Sequence, residues 1–419
     1  MLAQWSFRIA IGVLALAASR PVPAQSRQDF DRMRQQMVED EIVAAGVKHE
    51  RVLDSMRTTP RHEFVALKLR KYAYYDMALP IGSQQTISPP FVVAYMTEQL
   101  DPQASDRVLE IGTGSGFQAA VLSPLVRDVY TIEIVDALGR KARRTLERLG
   151  YRNVHVRIGD GYKGWPEKAP FDKIMVTCSP EEVPTPLVEQ LREGGKMIVP
   201  VGQRYSQNLY VFTKRDGQLV SEALRATLFV PMTGQAESQR RVQPDPLNPT
   251  LTNGSFEEVT PASSTPASST PAGWHYLRQV ELVRDDPLAP DGEVYAKFTN
   301  EDPGRGCRAL QGFAIDGRRV SHLDVFFWVK GDKIRFGQNR RQWPFAVVTF
   351  YDDRRVQLGA EAIGPFTGTF DWRKETALLP VPLAAREAIL RIGLLGAVGE
   401  ISFDKLQIGP ADAKPSRPR

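Results

Sequence analysis

Between residues 107 and 201, short apolar runs alternate with amphipathic stretches in a steady beat. Residues 108–111, 129–134, 154–158, 171–177 and 196–201 have strand length and an apolar character. Helical spacing fills the intervals at 117–125, 137–149 and 186–191, and Gly150 stands where the longest of these should stop. Strand–helix alternation of this kind predicts an α/β, doubly wound (Rossmann-like) fold, a mainly parallel sheet with helices on both faces. Upstream, Met33, Met37, Ile42 and Val43 recur among charges and predict one amphipathic helix over 29–53. A loop-rich stretch punctuated by Pro60 and Pro80 runs to Thr86. Ser88-Pro89-Pro90 then opens a helix through Leu100, and a serine before proline at the first helical position is a usual cap.

The pattern changes near residue 236. Three prolines in 243–249 and a polar composition predict a linker over 236–249. Beyond it, β-type runs at 320–329, 345–351, 377–379, 389–394 and 401–408 lie between turn residues. They predict an all-β jelly-roll or sandwich domain over 250–410. Within it, Thr260-Pro-Ala-Ser-Ser repeats from Thr265 and again, truncated, from Thr270; such composition buries no core and predicts a flexible loop over 260–272. Residues 411–419 are expected to be a disordered tail.

The N-terminus changes the expected compartment. Arg8, an apolar run over 9–18 and the small residues of Val22-Pro23-Ala24 resemble a signal peptide cleaved after Ala24, residues 1–24. The run is shorter than the roughly 20 residues a membrane span needs. An exported, periplasmic protein is expected, cytoplasmic only if the signal goes unused.

Composition mainly excludes. The chain has 42% hydrophobic and 25% charged residues, ordinary for globular domains, and 419 residues suffice for two or three of them. The net charge of +5 is scattered. Its densest run, Arg140 to Arg148, falls on a predicted helix and reads as a solvated face, so no nucleic-acid partner is expected. Cys178 and Cys307 fall in different predicted domains, which argues against a disulfide framework. His49, His62, His155, His275 and His322 lack metal-ligand spacing, so no metal is expected.

The candidate chemistry lies at the strand ends. Glu110-Ile-Gly112-Thr113-Gly114-Ser-Gly116 follows a predicted strand and precedes a helix. A dinucleotide loop would need glycine at 117, where this chain has Phe. The E-x-G-x-G-x-G form resembles instead the first motif of class I methyltransferases, which implies S-adenosyl-L-methionine as cofactor. Glu133 ends the next strand, where a carboxylate can hold a ribose diol. Asp160-Gly161 follows the strand after that, where the superfamily places an acid on the adenine amino group. Ligands of open α/β sheets bind at this carboxyl edge.

The likeness then narrows. Segments 85–88, 91–100, 108–117, 130–134, 159–166, 170–177, 194–202 and 229–234, with Arg61, Phe64 and the 72–75 cluster, resemble protein-L-isoaspartate O-methyltransferases. The resemblance covers about half the chain, with the methyltransferase domain set at 29–235, and Gln85-Thr86-Ile87-Ser88 is its most specific mark. It implies that Thr86, Ile87 and Ser88 bind the isoaspartyl group, with Ser88 as the catalytic residue. Two departures stand out. The family commonly has Ser-Gln-Pro where this chain has Ser88-Pro89-Pro90, and alanines where it has Cys178-Ser179. The implied reaction methylates the α-carboxyl of isoaspartyl residues in damaged proteins. That carboxylate is already ionised, with a pKa of about 3.3–3.9, so no general base is required. A monomer is expected.

Two other readings compete. A methyltransferase with another acceptor is one, although Thr177-Cys-Ser-Pro180-Glu-Glu182 is acidic where amino-directed nucleic-acid enzymes carry Asn/Asp-Pro-Pro-Tyr. The other is an exported scaffold with an inactive methyltransferase half and a glycan-binding module. Asn253-Gly254-Ser255-Phe256-Glu257, Gly273-Trp274 and Phe403-Asp404-Lys405-Leu406 resemble jelly-roll carbohydrate-binding modules. Trp328, Trp343 and Trp372 could stack on sugars, though tryptophans in β-sandwiches are commonly core.

Overall fold

The computed structural model describes residues 27–260, 270–284, 286–340 and 342–411. The predicted signal peptide, the middle of the Thr/Pro/Ala/Ser loop and the tail beyond 411 lie outside them.

The first half is a seven-stranded sheet. Its strands are β1 (Arg107–Ile111), β2 (Asp128–Glu133), β3 (Val154–Ile158), β4 (Phe171–Val176), β5 (Leu191–Gln203), β6 (Ser206–Arg215) and β7 (Gln218–Thr227). They lie in the order β3-β2-β1-β4-β5-β6-β7. Pairings from β3 to β5 are parallel, as the strand–helix alternation predicts. The antiparallel β6 and β7 were not foreseen. Their signal was present: Asp216-Gly217, both at positive φ, is a hairpin turn between alternating segments. Both faces of the parallel part are covered, and successive residues of β1 divide between two cores, Val108 in one and Leu109 and Ile111 in the other. The first core also takes side chains from α1 (Arg27–Met37), α2 (Glu50–Thr58), α3 (Pro90–Leu100), α4 (Phe117–Leu122) and α5 (Asp136–Leu149). The second takes Leu187 of α6 (Thr185–Gln190).

One helix over 29–53 is not what forms. After α1 the chain widens into a π-helical turn, Val38–Val43, then breaks at Gly46 (φ 101°) and restarts as α2. Periodicity alone cannot place such a break, because the buried spacing resumes on its far side.

The second half has ten longer strands: β8 (His275–Arg278), β9 (Val280–Arg284), β10 (Val294–Asn300), β11 (Arg308–Ala314), β12 (His322–Arg335), β13 (Ala346–Tyr351), β14 (Gln357–Ile363), β15 (Gly368–Pro380), β16 (Glu387–Ile392) and β17 (Val398–Ala411). Two five-stranded antiparallel sheets, β8-β11-β16-β13-β14 and β9-β10-β17-β12-β15, enclose one core built around Trp274, Phe298, Phe327 and Phe403. This is the expected β-sandwich. Ala411 belongs to β17 rather than to a tail. The ends of the Thr/Pro/Ala/Ser repeat, Val259–Thr260 and Thr270–Pro271, pair as a short ladder. The stretch expected as linker begins pinned, since the buried Arg240 donates to Ser179 O at 2.9 Å and to Gly202 O at 3.1 Å.

Candidate active site

The strand order reverses direction between β1 and β4, and a cleft opens at the carboxyl ends of these strands. It holds about 840 Å³ between its walls, open mouth included. The glycine loop forms its floor. Gly112 has φ 99°, and a Cβ there would stand 2.5 Å from the Thr177 hydroxyl oxygen. No other residue type fits both the backbone and the space. The Thr177 hydroxyl is itself fixed by donation to Gly112 O at 2.8 Å.

Glu133 ties the loop to β2. Its Oε2 accepts from Gly114 N at 2.7 Å and its Oε1 from Val135 N at 2.9 Å. Burial raises its pKa, and these two N–H donors pull it back. A carboxylate has about four acceptor sites, so capacity remains for a diol. Thr113 and Gly161 also line the cleft.

Three predicted cofactor residues do not line it. Gly116 caps α4 at φ 90°, and a Cβ there would crowd Leu146 of α5 at 3.1 Å, so it serves helix packing. Asp160 accepts from Tyr162 N and Gln235 N, each at 3.0 Å, while its neighbour Gly161 meets the cleft. Glu110 is fully buried beneath the loop, and neither carboxylate oxygen makes a hydrogen bond of good geometry to the described residues. Burial pushes its carboxyl up to about 8; the nearby Thr131 hydroxyl pulls it down, and the Glu133 charge adds a smaller push upward. A sequence motif marks the loop but cannot say which of its side chains point outward.

The Gln85-Thr86-Ile87-Ser88 segment forms the opposite wall. It is the second strand of a hairpin, Leu79–Gly82 with Gln85–Ile87, closed by Ser83 and Gln84 at φ 52° and 62°. Thr86 and Ser88 are half-buried and Ile87 is buried. Ser88 does not cap α3. Pro89 holds the cap position with no side-chain bond, Pro90 is the first helical residue, and the serine hydroxyl has no hydrogen-bond partner among the described residues. The capping acceptor is Asp76, whose Oδ1 takes the Phe91 N–H at 3.0 Å. Local sequence made serine the obvious cap, but the second proline displaces it upstream and a distant acid does the work.

Further lining residues escaped the sequence reading. Met96 of α3 and Gln118 of α4 face the cleft, as do residues 229–233. The last segment is held to the end of β4 by Ser179 N to Val230 O at 2.8 Å and Met232 N to Ser179 O at 2.9 Å. Its likeness to the family was visible, but its place in the wall was not. Among the described residues, no group of three or more His, Cys, Asp or Glu is placed to hold a metal ion, and no helix is long and apolar enough to cross a membrane.

A glycine loop at the switch point of a parallel sheet, tied to a strand-end carboxylate, defines a class I methyltransferase fold. Residues 32–237 match the family described as protein-L-isoaspartate(D-aspartate) O-methyltransferase (PCMT). The chain is 52% identical to the protein-L-isoaspartate O-methyltransferase of Opitutus terrae, over 48% of this chain and 86% of that protein. It is 50% identical to that of Gloeobacter violaceus, over 47% of this chain and 97% of that one. A solved protein-L-isoaspartate O-methyltransferase structure aligns at 31% identity and a TM-score of 0.44, over 49% of this chain and 67% of that chain. The chain belongs to the protein-L-isoaspartate O-methyltransferase family. The β-sandwich lies beyond the matched residues.

Proposed function

We propose that the chain transfers the methyl group of S-adenosyl-L-methionine to the α-carboxyl of L-isoaspartyl residues in damaged proteins. The observation that carries this reading is the juxtaposition of two walls in one cleft, the glycine loop with Glu133 and the Thr86–Ser88 segment. The donor supplies an electrophilic sulfonium methyl when bound. Gly112, Thr113, Gly114 and Gly161 shape its seat, Glu133 receives the ribose, and Glu110 and Asp160 support the loops from behind. The Ser88 hydroxyl, with no hydrogen bond to the described residues, is available to orient the substrate carboxylate, with Thr86 beside it. An ionised carboxylate needs no proton removed, so the residues act by alignment and by excluding water. The methyl ester loses methanol far more readily than a carboxylate could lose oxide, so the neighbouring backbone amide nitrogen can attack its carbonyl, expel methanol and close a succinimide that hydrolyses partly to normal aspartate.

The test is methyl transfer from labelled S-adenosyl-L-methionine to paired peptides with isoaspartate or aspartate at one position. Base-labile label on the isoaspartyl peptide alone supports the reading. Equal label on both peptides, or on neither, refutes it.

Export to the periplasm is part of the proposal and rests on Arg8, the 9–18 apolar run and Ala24. Recovery of the unprocessed chain from the cytoplasm would end it. For the sandwich, half-buried Trp328 and Trp372 on the face of β12 and β15 opposite the core support glycan stacking. Unchanged glycan retention by Trp328→Ala would remove that support. A monomer is proposed and is checked by light scattering.

A further inference from the structure

The acceptor wall of the cleft is held from outside the methyltransferase half. Asp76 is 6% exposed and stands where three contacts meet. Its Oδ1 caps α3 through Phe91 N at 3.0 Å, and its Oδ2 pairs with Arg278 Nη2 at 2.8 Å. Arg308 Nη2 donates to its backbone oxygen at 2.7 Å. Arg278 ends β8 and Arg308 begins β11, and the two face each other in register. The Arg278 guanidinium also lies 4.0 Å from the centre of the Phe91 ring. The strand therefore grips both the acid that caps α3 and the residue that is capped.

A second grip comes from the same strand. Tyr276 Oη donates to Leu228 O at 3.3 Å, the residue just before the 229–233 wall. His275 Nε2 lies 2.9 Å from Tyr205 O. Tyr276 has φ 51°, a conformation costly for a bulky residue and kept only where the surroundings fix it.

We propose that β8 is a built-in clamp of the acceptor site, with Arg278 and Asp76 as positioning residues. Arg278 acts through Asp76 on the start of α3, and so on Ser88, which lies just upstream and outside the helix. Tyr276 steadies the facing wall. Without Arg278 only Arg308, 3.8 Å from Oδ2, still pairs with the carboxylate among the described residues. The carboxylate is then drawn away from the Phe91 N–H, which loosens the first turn of α3. The glycine loop makes none of these contacts, so cofactor binding is spared. The inference rests on the reading of Thr86–Ser88 as the acceptor wall.

The experiment uses the full chain. Cofactor affinity is measured by calorimetry and isoaspartyl-peptide methylation by kcat and KM. Arg278→Met is expected to lower kcat/KM for the peptide about tenfold, with the cofactor Kd within about twofold of wild type. Arg278→Lys should recover most of the loss. In the double variant with Asp76→Asn, the losses should not add, because both act through one contact. Should Arg278→Met fail to fold, Tyr276→Phe, which removes one hydroxyl, is expected to raise the peptide KM about threefold. Peptide kinetics unchanged in the folded variants would overturn the clamp, as would an equal loss of cofactor affinity. A wild type that binds cofactor but methylates no isoaspartyl peptide would instead refute the reading of the site, and the clamp with it.

Discussion

The two walls of the cleft are built by different means. The cofactor wall is made of the ends of neighbouring parallel strands, and its key contact, Glu133 to Gly114 N, joins residues 19 apart in sequence. The acceptor wall is a short hairpin and a helix start. Its capping acid lies 15 residues away, and that acid's ion-pair partner 202 residues away in another β-sheet. The first wall is fixed by backbone geometry and by a carboxylate at the end of a strand in the same sheet. The second is fixed by side-chain charge brought from a separate core. Cofactor binding should therefore tolerate changes in the sandwich, and acceptor binding should not.

Substitutions in the two walls should separate these effects. The largest is expected for Gly112→Val, which meets both a left-handed backbone and the Thr177 hydroxyl. Its cofactor Kd should rise more than about 100-fold by calorimetry. Near-normal binding would show that the loop is less rigid than its contacts imply. Glu133→Ala removes the acceptor for two backbone N–H groups, and a rise of about 10- to 100-fold in cofactor Kd is expected. Ser88→Ala should lower peptide kcat/KM about tenfold while leaving cofactor Kd unchanged. A matching change in Kd would mean that the two walls are not independent.

A separate effect concerns pH and is read in stability rather than in affinity. Glu110 has a folded-state pKa raised to about 8 from an ordinary 4.5. Its proton is held more tightly in the folded chain. The stability this contributes is full below about pH 4.5 and is lost as pH climbs through 8. The loss is about 1.4 kcal/mol per pH unit between the two values. Urea titrations of Glu110→Gln at pH 5 to 8 should show a flatter decline than wild type, and parallel slopes would refute the assignment.

The succession of strands β1 to β5 along the chain, the glycine loop and the acceptor segment could be read from local pattern, because alternation, glycine spacing and strand-end acids are short-range features. The β-sandwich was legible as a class, though β8 to β11 and β14 were not; in β8, Tyr276 packs on the first core and Leu277 on the sandwich core, and its pairing with β11 is irregular. The direction of individual side chains was not legible at all. Gly116 and Asp160 keep to packing and turn roles, and Glu110 is sealed beneath the loop, although the motif treats them alike. Local sequence offered Ser88 as a cap of α3, whereas the fold gives that role to Asp76. Capping by an adjacent residue is a property of a few dihedral angles and can be written in a tetrapeptide. A buried ion pair between Asp76 and Arg278 exists only once two separate cores have packed, and nothing in the spacing of those residues along the chain announces it.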